Sequence, residues 1–255
     1  MTERQSMNRY DGKRVFLTGA GSGIGRATAV RLVAEGATVF AVDRDTEGLA
    51  TTRELVDDPA RLTCHTADLA TEDAAVAAAG AGVAELGQVD VLANVAGALR
   101  TTPMTGLDLG DYRWLFAINL FAPVTLCREL LPHVPDRTGV ILLTTSTAAT
   151  KAHPGMTGYA ASKGALLSFA VSLSAELAPR RIRVVPVSPG GVATPLTMDK
   201  ERFDGIDVSW YARTYPLWGK PGEPEDLAAA IAFAGSADGA YLNGTEFRLD
   251  GGSHV

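Results

Sequence analysis

Thr18-Gly19-Ala20-Gly21-Ser22-Gly23-Ile24-Gly25 follows directly on the apolar run Val15-Phe16-Leu17. A strand that turns through glycines into a helix makes a cradle for phosphate groups. The helix N-terminus presents unpaired N–H groups and a partial positive charge, and missing Cβ atoms let an anion come close. The helix expected next, residues 24–35, carries Ile24, Ala27, Val30, Val33 and Ala34 at helical spacing. Gly36 stops it, and Thr38-Val39-Phe40-Ala41-Val42 reads as a second strand. A glycine cluster alone also makes ordinary tight turns. Inside a strand–turn–helix–strand unit it points to nucleotide binding.

Beyond this unit, strand-like runs at 61–66, 89–94, 140–145, 182–187 and 246–249 alternate with amphipathic stretches at 47–56, 72–86, 109–131, 159–178 and 224–234. That alternation predicts a parallel sheet with helices on both faces. The Ala-rich stretch 74–84 reads as a helix packed on the sheet. No repeat or linker divides the chain, so 11–255 are expected to form one α/β domain behind a flexible tail, residues 1–10. The least regular section, 194–221, is punctuated by Pro195, Gly205, Pro216, Gly219 and Pro221. An insertion of that kind is usually functional or mobile. Its Phe203, Trp210, Tyr211, Tyr215 and Trp218 either pin it to the body or wall an apolar substrate pocket.

The 255 residues are 46% hydrophobic and 20% charged, which suits a folded globular protein. A net charge of −6 disfavours a nucleic-acid or anionic-membrane surface. No run approaches the roughly eighteen apolar residues of a membrane span, and the polar start is unlike a signal peptide. Cytoplasm is the default compartment. Cys64 and Cys127 lie far apart and read as two reduced, packed thiols. His65, His133, His153 and His254 show no ligand spacing, so no metal is expected.

Tyr159 and Lys163, four positions apart, share one face of a helix. An unperturbed tyrosine has a pKa of about 10 and is a poor base at neutral pH, but a neighbouring ammonium favours phenolate. The same pair also suits a surface tyrosine lying on a lysine stem. Ser146 follows the run 140–145, at the carboxyl end of a strand, where ligands bind in open α/β sheets. With Thr144, Thr145 and Thr147 it either holds a substrate oxygen or caps a loop. Asn119 interrupts the apolar run 115–124 and must find partners. It is either a helix-bending structural residue or one member of a hydrogen-bonded relay.

Taken together, these segments resemble the short-chain dehydrogenase/reductase family along nearly the whole chain, from about residue 11 to 252. The glycine signature stands as Thr18-Gly19-x-x-x-Gly23-x-Gly25, followed by Asp68-Leu69 and then Asn94-Val95-Ala96-Gly97. Ser146 lies thirteen residues before Tyr159-Ala160-Ala161-Ser162-Lys163. Ser188-Pro189-Gly190-Gly191-Val192-Ala193-Thr194-Pro195 resembles the segment beside the nicotinamide, and Asp250-Gly251-Gly252 the common ending. Seven signatures in order are far more specific than any one. Val95 departs from the usual second Asn, at a position that is mainly structural in the family.

The resemblance implies a Rossmann-like doubly wound parallel sheet of about seven strands, in the order 3-2-1-4-5-6-7. It also implies hydride transfer between a nicotinamide and a secondary alcohol or ketone. The implied catalytic set is Asn119, Ser146, Tyr159 and Lys163. Tyr159 would move the hydroxyl proton while Ser146 holds the oxygen. Lys163 would lower the Tyr159 pKa and bind ribose hydroxyls, and Asn119 would hold a water linking Lys163 to solvent. The implied cofactor contacts are Gly19, Gly21, Ser22, Gly23, Ile24, Gly25, Asp43, Arg44, Asp68, Leu69, Asn94, Ala96, Gly97, Tyr159, Lys163, Pro189, Gly190, Val192 and Thr194.

Asp43, eighteen positions after Gly25, can accept from the adenosine ribose, as expected for NAD. Against a 2′-phosphate it is repulsive, by about 4 kcal/mol for like charges 4 Å apart at an effective dielectric of 20. Ser22 stands where phosphate-preferring relatives often carry a base, while Arg44 offers a phosphate one cation. NAD is therefore expected over NADP. Ser146, His153, Met156, Gly191, Leu196, Met198 and Trp210, with Ala98, Leu99 and Thr147, are the expected substrate-pocket residues; most are apolar, which suits a hydrophobic small molecule. The helix at 159–178 is apolar or small on most sides and calls for burial all round, and the resemblance implies a homotetramer. Two alternatives stand beside the alcohol dehydrogenase: an NADPH-dependent 3-oxoacyl-carrier-protein reductase and a non-catalytic, nucleotide-sensing regulator.

Overall fold

Residues 8–198, 207–211 and 214–254 are described in a computed structural model of the chain. Seven strands form one parallel sheet: β1 Arg14–Thr18, β2 Thr38–Asp43, β3 Leu62–Thr66, β4 Val91–Asn94, β5 Val140–Thr144, β6 Arg183–Pro189 and β7 Phe247–Leu249. Their order is β3-β2-β1-β4-β5-β6-β7, as expected. The winding reverses between β1 and β4, which pair in parallel from Val15↔Val91 to Leu17↔Ala93. At such a reversal the loops leaving the two strands diverge and open a crevice at the carboxyl edge.

Helices cover both faces because β1 is apolar on both, Val15, Phe16 and Leu17 being fully buried. On one face α1 (Gly23–Ala34) and α8 (Pro224–Gly235) pack Leu32, Val33, Ile231 and Ala234 against Leu17, Val39 and Leu142. On the other lie α3 (Glu72–Leu86), α5 (Ala122–Leu130) and α6 (Thr157–Glu176). The small residues of α3 have a steric reason. A Cβ at Gly82 would overlap the Phe16 ring, so the helix reaches the sheet only where side chains are minimal.

Several expectations need correction. The stretch expected as one helix at 109–131 is α4 (Leu109–Phe116), a π-helical turn Ala117–Phe121 and then α5. Pro123 has no N–H to give the carbonyl of Asn119, so the regular ladder cannot run through. The helix bearing Tyr159 starts at Thr157, two residues earlier than expected, which puts Tyr159 in its first turn. Residues 9 and 10 are no loose tail. Tyr10 is 1% exposed and donates its hydroxyl to the Ala232 carbonyl at 2.8 Å, while Arg9 pairs with Glu35; residues 1–7 lie outside the described residues.

One stretch, Leu109–His133, is long and apolar enough to cross a membrane by length and composition, although no such span was expected. Its apolar character has another outlet here, since Leu115, Leu126 and Leu130 are fully buried in the fold. Between β2 and β3 lies α2 (Thr46–Leu55); within 194–221 the described residues are 194–198, 207–211 and 214–221, which include α7 (Pro195–Met198) and a 3-10 turn Val208–Tyr211, with Phe203 outside the described residues. Trp210, Tyr215 and Trp218 are exposed, whereas Tyr211 donates its hydroxyl to the Pro154 carbonyl at 2.8 Å.

Candidate active site

The crevice at the β1/β4 reversal is a cleft of about 350 Å³. At one end the chain leaves β1 through Gly19, whose φ of +76° is costly for any other residue. Both Gly19 N–H and Ala20 N–H donate to the Val42 carbonyl, and the Thr18 hydroxyl accepts from the N–H groups of Val95 and Ala96 at 3.1 and 3.0 Å. A Cβ at Gly25 would overlap the Gly19 carbonyl, and one at Gly19 would come within 2.8 Å of the Ala96 backbone. These two glycines are therefore required by the turn itself. The N-cap of α1, Ser22, makes no side-chain cap, and the first turn holds no acid. That positive helix end opens on the cleft through Ser22, Gly23, Ile24 and Gly25.

Asp43, at the end of β2, accepts from Gly21 N–H at 2.8 Å and from Asp45 N–H at 3.0 Å. Arg26 ties the same turn to the following helix, its guanidinium reaching the Gly21 carbonyl and the Thr52 hydroxyl. An open helix end, a glycine turn and a carboxylate at the neighbouring strand end fit the diphosphate and ribose of a dinucleotide.

At the other end, Ser146, Tyr159 and Lys163 line the cleft together. Ser146 caps the short turn after β5, accepting from Ala148 N–H at 3.1 Å, which bears out the loop-cap reading, and it also lines the cleft. Lys163 is 3% exposed; its ammonium donates to the Thr144 carbonyl at 2.7 Å and lies 6.0 Å from the Tyr159 ring centroid. Burial pushes the Lys163 pKa down to about 8. Burial also raises the Tyr159 pKa above its ordinary value, with the nearby Ser146 hydroxyl pulling the other way. Lys163 was expected to lower the phenol pKa; desolvation is the larger influence on Tyr159 and raises it.

Asn119 sits in the π-helical turn, fully buried. Its side chain accepts from Ala98 N–H at 2.8 Å and donates to the Ala98 carbonyl at 2.9 Å and the Ser162 hydroxyl at 3.0 Å. It therefore does not line the cleft but clamps the strand-end loop that does. A Cβ at Gly97 would stand 3.3 Å from both Asn119 Oδ1 and Lys163 Nζ, so only glycine keeps that gap clear.

Of the expected cofactor residues, all but Gly21 and Asn94 line the cleft. Gly21 N–H is engaged by Asp43, and Asn94 is 2% exposed with neither side-chain amide atom partnered among the described residues. Among the expected substrate residues, Ser146, Leu196, Ala98 and Leu99 line it, whereas Thr147, His153, Met156, Gly191, Met198 and Trp210 do not. His153 turns Nδ1 to the Lys151 carbonyl at 3.0 Å, and Met156 is buried under the helix start. Met198 and Trp210 face outward, 59% and 47% exposed. Trp114, Ile118, Thr145, Pro195 and Thr197 take their place. Trp114 and Ile118, one helical turn apart and next to Asn119, were legible as one face; no motif marked the others. Arg100 lies over the Trp114 ring at 4.3 Å and pairs with Asp111.

A family model described as short chain dehydrogenase matches residues 13–205. The chain is 35% identical to the short-chain reductase protein NovJ of Streptomyces niveus over 243 residues, covering 93% of this chain and 92% of that one. A crystal structure of a short chain dehydrogenase from Burkholderia cenocepacia in complex with NADP superposes with a TM-score of 0.88 at 31% identity, over 97% of this chain and 100% of that one. A 3-ketoacyl-(acyl-carrier-protein) reductase from Brucella melitensis, complexed with NADH, does so at 0.84 and 30%, over 96% and 99%. With its sheet order, its glycine turn and Ser146, Tyr159 and Lys163 together in the cleft, the chain belongs to the short-chain dehydrogenase family of oxidoreductases.

Proposed function

We propose that the protein transfers hydride between NAD(H) and an uncharged, largely apolar secondary alcohol or ketone. One observation carries this reading: the Ser146 and Tyr159 hydroxyls and the buried Lys163 ammonium stand at one end of a cleft whose other end is the open α1 terminus beside Asp43. Bound nicotinamide supplies or accepts the hydride. In the reducing direction Ser146 holds the carbonyl oxygen and Tyr159 donates its proton to it. Lys163 stabilises the phenolate left behind, and the proton that restores Tyr159 comes from solvent by way of the Lys163 side, past Gly97 and Asn119. Ala98, Leu99, Trp114, Ile118 and Leu196 supply apolar walls, which favours an uncharged substrate.

NAD is preferred in this reading because the Asp43 carboxylate faces the adenosine end. A second reading, use of NADP, draws on Arg44, which is exposed on the cleft rim, and on Asp43 already having both oxygens engaged by backbone N–H groups. Assembly as a homotetramer is supported by the outer face of α6, where Ala161, Ser168, Val171, Ser172 and Ala175 are exposed.

The test is absorbance at the reduced-nicotinamide band, with NAD and NADP each offered aliphatic, cyclic, steroidal and sugar-like alcohols and ketones. Turnover that Tyr159→Phe abolishes is the expected result. Calorimetric binding of NAD without turnover of any class would favour a nucleotide-sensing regulator instead.

A further inference from the structure

Helix α6 carries both Tyr159 and Lys163, yet its own N-cap, Met156, contributes no side-chain cap. The cap comes from another part of the chain. Gly158 N–H donates to the Thr102 hydroxyl at 2.9 Å, across 56 residues of sequence. Thr102 is 2% exposed, lies outside the cleft lining and pairs with Met156 through an isolated parallel bridge. Its N–H donates to the Gly155 carbonyl at 2.6 Å.

Three hydroxyls close this contact with every proton assigned. Thr157 Oγ1 donates to the Thr102 carbonyl at 2.9 Å, so it must accept from its other neighbours. Tyr112 of α4 donates to it at 2.7 Å, and Thr102 Oγ1 stands 3.3 Å away. The Tyr112 ring also packs on Gly158, where an added Cβ would come within 3.0 Å of it. The first turn of α6 is thus held from two sides, one residue before Tyr159.

We infer that Thr102 is a positioning residue: by capping α6 from outside, it sets where the Tyr159 hydroxyl stands relative to Ser146. The inference rests on the acid–base role proposed for Tyr159. An unsatisfied first-turn N–H lets the helix start fray, and a displaced reacting group loses rate steeply. Thr102→Val keeps the shape and removes the hydroxyl, while Thr102→Ser keeps the hydroxyl.

Amide hydrogen exchange at Gly158, measured on the ligand-free full chain, is expected to quicken about tenfold in Thr102→Val and to change less than about twofold in Thr102→Ser. With NAD and the most active compound of the panel, Thr102→Val should lower kcat by about tenfold to a hundredfold with KM nearly unchanged, and serine should restore it. Unchanged exchange at Gly158, or equal kcat in the valine and serine variants, overturns the inference. If Thr102→Val does not fold, Tyr112→Phe, which removes the donor to Thr157, takes its place with the same expected loss of kcat; wild-type kcat there overturns it. Wild-type turnover in Tyr159→Phe overturns the acid–base reading itself. Turnover lost in Tyr159→Phe but kept in Thr102→Val overturns the role of Thr102 alone.

Discussion

Lys163 donates its ammonium to the Thr144 main-chain carbonyl at 2.7 Å, in the buried wall of the cleft. That single bond holds the side chain that stands nearest the Tyr159 ring among the cations described, and it costs the fold the desolvation of a charge.

This sets a pH signature. The Lys163 pKa is depressed by burial to about 8, below the unfolded value. Between those two values the unfolded chain binds the extra proton, so stability rises with pH from about 8 to about 10.4. The burden is fully present below about 8. Lys163→Met should therefore lose turnover while melting higher than the parent at pH 7, with the gap narrowing by pH 10. Thermal melts at the two pH values check this; a lower melting temperature at pH 7 would contradict it.

Asp43 makes a different prediction from the one its charge alone suggests. Because its oxygens brace Gly21 and Asp45, Asp43→Ala should weaken both NAD and NADP, NADP by about tenfold and NAD by more, so that the ratio between them shifts as well. Calorimetric titration with both dinucleotides reads the two effects apart. Unchanged NADP affinity would show that the brace is dispensable.

The Asn119 amide is used in both senses, as donor and as acceptor, on the backbone of Ala98. Asn119→Asp removes the donor, setting a carboxylate against the Ala98 carbonyl or the Ser162 hydroxyl. We expect a loss of about 1–3 kcal/mol in urea unfolding and a fall in turnover. Asn119→Leu should lose as much stability, since the Ala98 N–H and C=O are then both left unpaired.

At the N-terminal edge, Tyr10→Phe should cost about 1 kcal/mol by removing a buried hydrogen bond to Ala232. Arg9→Ala should cost more, because Glu35, with its side chain 4% exposed, would keep only Arg31. Burial works to raise the Glu35 pKa, but the hydrogen bonds from Arg9 and Arg31 hold it below the usual value. A carboxylate lowered in this way stabilises the fold above its unfolded pKa, and that contribution is lost as pH falls through the folded one. The Arg9→Ala penalty should shrink on acidification below about pH 4, which urea titrations at pH 3.5 and pH 7 would measure.

The reach of local sequence is clear from particular residues. Gly19, Gly25, Tyr159 and Lys163 were legible because each is dictated by its own neighbours along the chain: a turn that excludes Cβ atoms, or one helical repeat between two side chains. The strand order followed from the resemblance, and the strand runs from apolar patterning, with ends displaced by one or two residues where frayed pairing decides. His153, Met198 and Trp210 were misplaced because lying near Tyr159 or in the long loop says nothing about which way a side chain faces.

What the chain alone determined is the parallel sheet, the glycine turn and the pairing of Tyr159 with Lys163, all set by short-range sterics and periodicity. Tertiary structure decided the rest. The balance at Tyr159 of burial against the nearby Ser146 hydroxyl, the wall formed by Trp114 and the cap that Thr102 places on Gly158 each join separate segments of the chain. Desolvation and hydrogen-bond geometry depend on what stands within a few ångströms, and for these groups that neighbourhood exists only once the sheet has brought its loops to one edge.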